Sequence, residues 1–280
     1  LRYEYKHNIA DNRIDQLRKA LEGYVDLDPY AQSSKNGQYT VRSIYFDTVH
    51  WGMYTEKHDG LAFRDKVRLR SYNDWHSESK AFLEIKRKYQ IPSRKFRVSA
   101  NYQSILEAFQ GKQLDQLFEK DARGKDQLSD ANRFFYQLYS KQLLPVVLIS
   151  YEREPFIGKG DPENNLRITF DKKVRSYPFP GLDELFQNRN MSLVMPGYTV
   201  LEVKFNRYFP QWLKPIIAAF QLKREAISKY VLGLDRLQLP QRYPNPVQLR
   251  AQTHFWSRAY QKEQRAHLKN KSKGKETFKV

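Results

Sequence analysis

The sequence predicts an α+β fold, an antiparallel β-barrel with helices packed outside it. Three observations predict it. Several extended segments alternate charged and apolar residues one for one, as in KVRLRSY (66–72) and FLEIKRK (82–88). Other segments carry apolar residues at helical spacing, enough to cover the apolar strand faces. The charged faces are mostly basic, in a chain of net charge +18 from 49 Lys and Arg against 31 Asp and Glu. Turned to water, such faces would repel one another. A closed barrel turns them inward around an anion and removes the sheet edges.

The elements follow in order. Residues 2–7, RYEYKH, alternate and read as a strand. Asp11 is placed to cap the helix DNRIDQLRKALEGY, whose Ile14, Leu17, Ala20 and Leu21 form an apolar stripe. Residues 28–37, with Pro29, Ser33, Ser34 and Gly37, read as a loop. YTVRSIYFDT (39–48), rich in β-branched and aromatic residues, is a strand. The two alternating segments and SRKFRVS (93–99) add three more. From Tyr102 to Leu143 the pattern is helical, interrupted by a polar loop, KDARGKDQLSD. Strands resume at PVVLISYERE (145–154), LRITFDKKV (166–174) and YTVLEVKFN (198–206), with YPFPGLDELF as a loop holding a short helix. QWLKPIIAAFQL, with Pro215 in its first turn, and REAISKYVLGLDRL read as helices. The sum is seven or eight strands in one domain, residues 1–239. Prolines 240, 244 and 246 then suggest a linker to residues 240–280, with a helix from about Val247 to Leu268 and a basic tail.

Composition narrows the chemistry. With 40% apolar and 14% aromatic residues the chain can bury a core. It has no cysteine, which excludes disulfides and thiolate metal sites, and its six histidines show no zinc-hydrolase spacing. The longest apolar runs, VVLIS and IIAAF, fall far short of the ~20 residues that span a bilayer. No signal peptide is visible, so a cytoplasmic location is expected. The chain begins at Leu1 and not Met, and membrane association is left to segments outside it.

Residues in phase along the strands are Arg2, Glu4 and Lys6; Lys66, Arg68 and Arg70; Glu84, Lys86 and Lys88; Arg167, Thr169 and Asp171; and Val200, Glu202 and Lys204. Arg153 joins from a strand of less clean alternation. A Glu precedes a Lys by two residues in three separate strands, at Glu4, Glu84 and Glu202. A cavity lined this way requires a strongly anionic ligand, and its carboxylates suit a divalent cation bridging phosphates.

RYEYKH, VRSIYFDT, KVRLRSY, FLEIKRK, SYERE, VLEVKF and SKY stand in the order of the VTC-type polyphosphate polymerase domain, which belongs to the triphosphate tunnel metalloenzymes (CYTH-like proteins). The resemblance covers roughly residues 2–237. It implies a tunnel that binds ATP with Mn2+ or Mg2+ and moves the γ-phosphate onto a growing inorganic polyphosphate chain. Carried onto this sequence, it implies catalytic roles for Lys6, Arg68, Arg70, Lys86, Arg153 and Lys229. Phosphate binding would fall to Lys88, Arg167, Lys204 and Arg224, and metal binding to Glu202, Glu4 and Glu84. The wider superfamily opens with Glu-x-Glu-x-Lys, whereas this chain has Arg2-Tyr3-Glu4-Tyr5-Lys6. One metal ligand fewer favours transfer to a phosphate acceptor over hydrolysis, and VTC-type domains are similar here.

Other residues stay open. SKY (228–230) fits a solvated helix face or a tunnel wall, and YFDT (45–48) fits a strand end or part of the site. Arg42 is out of phase. Arg94, Lys95 and Arg97 read as solvated charges of an outer strand, Glu119, Asp121 and Asp126 as loop solvation, and His50, His58 and His76 as surface or tunnel-mouth residues. Two rivals remain: a triphosphatase using the same tunnel, and a non-catalytic polyanion- or RNA-binding module. No RNA-binding signature is present, so no specific nucleic acid partner is expected.

Overall fold

The computed structural model describes residues 2–32, 34, 36–89, 93–118, 127–245 and 248–249. The expected loop acids Glu119, Asp121 and Asp126, and the helix and basic tail expected beyond residue 250, lie outside these. The strands are β1 (Tyr3–Ala10), β2 (Val25–Leu27), β3 (Tyr39–Asp47), β4 (Phe63–Tyr72), β5 (Lys80–Tyr89), β6 (Ser93–Asn101), β7 (Leu144–Gly158), β8 (Arg167–Pro178), β9 (Ser192–Leu193) and β10 (Tyr198–Phe205). The helices are α1 (Ile14–Leu21), α2 (Pro29–Gln32), α3 (Gly52–His58), α4 (Tyr102–Phe109), α5 (Gln127–Ser140), α6 (Leu213–Ala219), α7 (Lys229–Leu237) and α8 (Leu239–Arg242).

Ten strands form one antiparallel sheet in the order β1-β10-β8-β7-β3-β4-β5-β6, with β2 beside β7 and β9 beside β8. The expected closure is corrected: β1 and β6 do not pair, so the sheet is a curled trough and not a barrel. The curl is still deep. Lys86 of β5 meets Glu4 of β1 at 3.0 Å, although five strands separate them in the sheet.

The β1 edge is occupied by a neighbouring segment of the chain and not by β6, which blunts it. The free edge of β1 receives residues 223–227, where the Glu225 N–H donates to the Lys6 carbonyl at 2.8 Å. That engagement also corrects the helix expected from Arg224. The backbone is drawn out along β1, and α7 begins only after Ser228, whose hydroxyl accepts the Val231 N–H. Asp11 does not cap α1. A short 3-10 turn, Asp11–Arg13, leads into the helix, and the Asp11 carboxylate accepts the Thr199 hydroxyl at 2.8 Å.

Strand alternation divides the apolar residues between two sides. On the outer side Val67, Leu69, Leu83, Ile85 and Val98 pack under α4 and α5 with Ile105, Phe134 and Leu138. Leu17 and Leu21 of α1 and Leu213 of α6 cover Ile168, Phe170, Leu201 and Val203. Each such side chain contributes about 1.5–3 kcal/mol on burial. The third core lies inside the trough, where Tyr230 and Leu234 of α7 pack on Val41, Tyr45, Ile149 and Tyr151. At Gly233 an added Cβ would meet the terminal methyl of Ile149, so a larger residue there would require that side chain to shift. Helix α7 thus fills part of the trough and leaves the remainder to charged side chains. The linker expected after Leu239 is not loose in its first residues. Leu239 and Leu249 are buried, and the Trp51 indole donates to the Tyr243 carbonyl at 2.9 Å.

Candidate active site

The in-phase residues reach the interior because each sits opposite its neighbour in register. Glu202 of β10 lies between Lys6 of β1 and Thr169 of β8, and Arg68 of β4 lies opposite Glu84 of β5. Two nests result, each built round buried carboxylates.

In the first, Glu84 is 1% exposed and is gripped by Arg68 at 2.6 Å, Lys95 at 2.6 Å and Arg97 at 3.1 Å, with Arg70 at 4.0 Å. Arg70 also donates to the Ser43 hydroxyl at 3.0 Å, and Arg68 to the Tyr45 hydroxyl at 2.9 Å. In the second, Asp171 is fully buried. It accepts two parallel hydrogen bonds from the Arg153 guanidinium, at 2.7 and 2.8 Å, and pairs with Lys229 at 2.5 Å. Glu202 pairs with Lys204 and lies 3.9 Å from Lys6 and 4.0 Å from Arg153. Glu4 pairs with Lys6 at 2.9 Å and with Lys86 at 3.0 Å, which joins this nest to β5.

Burial pushes the Glu84 carboxyl up, but Arg68, Arg70 and Lys95 outweigh it and hold the group well below the usual carboxylate range. The same contest holds Glu202 well below that range, with Lys204, Lys6 and Arg153 opposing burial. For Glu4, burial and the charge of Glu202 push upward, and Lys6, Lys204 and Lys86 bring it down to about 2. Burial lowers the Lys95 amine to about 8 despite its pairing with Glu84. Asp171 is likewise lowered, with Arg153 and Lys229 opposing burial, so all four carboxylates are ionised at neutral pH, and the cations facing them outnumber them.

The structure brings together Lys6, Arg68, Arg70, Lys86, Arg153, Lys204, Lys229, Glu4, Glu84 and Glu202 in these two nests. Arg167 stands toward one end, bound to Asp28 at 3.1 Å and to the Tyr39 hydroxyl at 3.2 Å. Lys88 lies farther along β5, opposite Arg64. Arg224 is not among them: its segment is extended along β1, and its guanidinium stacks over Tyr5 on the outer side at 3.9 Å from the ring centroid. Glu84, expected beside the other metal ligands, is enclosed by its own four cations. Arg42 faces away, holding Asn73, Asp74 and Asn188. Asp47 of YFDT takes the Tyr230 hydroxyl and the N–H groups of Met53 and Tyr54, and so anchors α3 and α7 to β3.

Four further groups line the interior beyond the expected site residues. Lys95 and Arg97, expected as solvated charges, share a face with Glu84. Asp171 and Lys66 were in phase, and that signal alone could have found them. Lys66 donates to the Ser228 hydroxyl at 2.8 Å.

Among the described residues no three His, Asp or Glu side chains converge on one point. Glu4 and Glu202 are near enough that the charge of Glu202 opposes ionisation of Glu4, and they offer hard oxygen donors side by side. That donor set fits Mg2+ or a similar ion, which ordinarily takes one or two carboxylates and completes its shell with phosphate oxygens and water.

The VTC domain family model matches residues 1–238, and the chain belongs to that family. A comparison with curated proteins found no match. Among solved structures, the chain is similar to HpAC1 from Hippeastrum, a protein studied as an adenylyl cyclase and described as having a dominant triphosphatase activity. The two are 13% identical over 84% of this chain and 96% of that one, with a TM-score of 0.44. Among the described residues no helix is long and apolar enough to cross a membrane.

Proposed function

We propose that this VTC domain is a metal-dependent polyphosphate polymerase that transfers the γ-phosphate of ATP to a growing inorganic polyphosphate chain. The observation that carries the reading is the pair of carboxylate nests, whose ionised acids are surrounded by more cations than they neutralise. Phosphoryl transfer needs alignment and charge neutralisation more than a covalent nucleophile, and such a lining offers both. In the reaction a terminal polyphosphate oxygen attacks the γ-phosphorus. The bridging bond to the β-phosphate breaks, and its electron pair leaves with ADP.

Arg68, Arg70 and Arg153 present forked donors to phosphate oxygens, and Lys6, Lys86, Lys204 and Lys229 act as compact point charges. Glu4 and Glu202 would hold Mn2+ or Mg2+, which when bound neutralises charge on the phosphate oxygens. Glu84 serves as the counter-charge that sets Arg68 and Arg70 in place. Arg2 in place of a third acid leaves no carboxylate there to hold an attacking water, which supports transfer over hydrolysis.

Lys86→Ala tests the assignment at a single residue, because its side chain is 43% exposed and its one described carboxylate partner is Glu4. The rate of polyphosphate synthesis should fall on the order of 10²–10³-fold. The melting temperature should move little, since Lys86 is itself half-exposed and Glu4 keeps its pairing with Lys6 at 2.9 Å when Lys86 is removed. Undiminished synthesis by this variant would refute the assignment.

A further inference from the structure

Outside the nests lies a buried pair with a connection to each of them, Asp47 at the end of β3 and Tyr230 in the first turn of α7. The Asp47 carboxylate meets only donors: the N–H groups of Thr48 at 2.7 Å, Met53 at 2.8 Å and Tyr54 at 3.0 Å, and the Tyr230 hydroxyl. No cation pairs with it among the described residues. The titratable groups around the pair are tyrosines: Tyr45 of β3 and Tyr54 of α3, whose hydroxyl donates to Asp235 of α7 at 2.7 Å. Beyond them stand Lys229, Arg68 and Arg70, whose charges reach Tyr45. From Tyr230 one route runs to each nest. Its chain neighbour Lys229 pairs with Asp171 at 2.5 Å, and Asp171 holds the Arg153 fork. Its ring stacks on Tyr45, with centroids 5.0 Å apart, and the Tyr45 hydroxyl accepts from Arg68 at 2.9 Å.

We infer that Tyr230, held by Asp47, is a positioning residue that sets Lys229 and Arg68 for phosphoryl transfer. The inference rests on the reading above that ATP reacts in this trough. Its physical basis is the environment of the carboxylate. An ionised Asp47 offers lone pairs to all four donors at once. A protonated one carries a donor of its own, aims it at the other donors and lets the Tyr230 hydroxyl go. Burial pushes the Asp47 carboxyl up to about 6 against its four hydrogen bonds. The Tyr230 hydroxyl stays protonated, because burial and the charge of Asp47 both raise it. The hold on Tyr230 is therefore present at neutral pH and lost on mild acidification. A released Tyr230 leaves Lys229 and Arg68 charged but misaligned. Misalignment costs the transition state more than it costs substrate binding.

The test is Tyr230→Phe, which keeps the ring and its stack on Tyr45 and removes only the hydroxyl. Rates of ADP release with ATP and Mn2+, KM for ATP and thermal melts are measured on the full chain and on the variant. The series runs from about pH 8 to about pH 5, across the Asp47 value of about 6. At about pH 8 the kcat of the variant should be about tenfold lower, with KM for ATP within about threefold of the original. Substrate phosphates titrate in this range too, but equally for both proteins, so the ratio of the two rates isolates the pair. That ratio should shrink to about twofold or less near pH 5, where roughly 90% of Asp47 is protonated. A role confined to stability would lower the melting temperature of the variant and leave its rate unchanged. An unchanged kcat, or a reduction that is the same at every pH, would overturn the inference and leave the polymerase reading standing. ADP formed with free phosphate and no polymer, by a protein that still shows the pH-dependent ratio, would overturn the polymerase reading alone. An unaltered protein that releases no ADP would overturn both.

Discussion

Glu84→Ala is expected to destabilise the fold by about 3–5 kcal/mol, because it strands several charges inside the trough at once. Arg68, Arg70, Lys95 and Arg97 all turn toward this one carboxylate, which is 1% exposed. The melting temperature should drop by roughly 10 °C or more. Inorganic tripolyphosphate should recover part of the loss, since an anion in the nest replaces the missing counter-charge and binding to the folded state alone stabilises it. The same pairing fixes the acid response of the unaltered protein. Glu84, Glu202 and Glu4 have folded pKa values below their ordinary ones, so their stabilisation is complete above the ordinary carboxylate range and disappears as pH falls through the folded values. For Glu4 that window runs from its ordinary 4.5 down to about 2. Thermal melts across that range check it: the stabilisation contributed by Glu4 should be lost as the pH falls from 4.5 toward about 2.

Arg153→Lys should leave the fold nearly intact and lower turnover on the order of 10²-fold. Lysine keeps the charge but cannot make both parallel hydrogen bonds to Asp171, at 2.7 and 2.8 Å, while also reaching toward Glu202 at 4.0 Å. The guanidinium fork is what aligns the side chain between the two acids, and a point charge in its place is free to settle on either. Initial rates of ADP release, measured beside a thermal melt, separate the two effects. Unreduced turnover in this variant would mean that Arg153 is only a structural partner of Asp171.

Much of the site was legible in the sequence because a strand puts alternate residues on one face with no exceptions until a bulge intervenes. Glu4 and Lys6, Arg68 and Arg70, Glu84 and Lys86, and Glu202 and Lys204 follow from that period alone. Curvature does not. Alternation assigns a face but says nothing of whether that face closes, and here residues 223–227 occupy the β1 edge that a closing strand would have taken. Lys95 and Arg97 were misjudged for a related reason: an edge strand with three cations in four residues looks solvated until its register against Glu84 is known. Arg224 failed through a competing interaction, as pairing with β1 outweighed local helical pattern. The interior packing of α7 was invisible because its apolar stripe reads the same whether it covers a sheet from outside or enters the trough.

Transfer of phosphate to phosphate inside this trough is tested most directly by incubating the full chain with ATP and Mn2+, followed by a gel stained for polyphosphate and an assay of ADP and free phosphate. Long polymer, with ADP formed in step and little free phosphate, is the predicted result. Stoichiometric free phosphate with no polymer would contradict it and make the domain a triphosphatase.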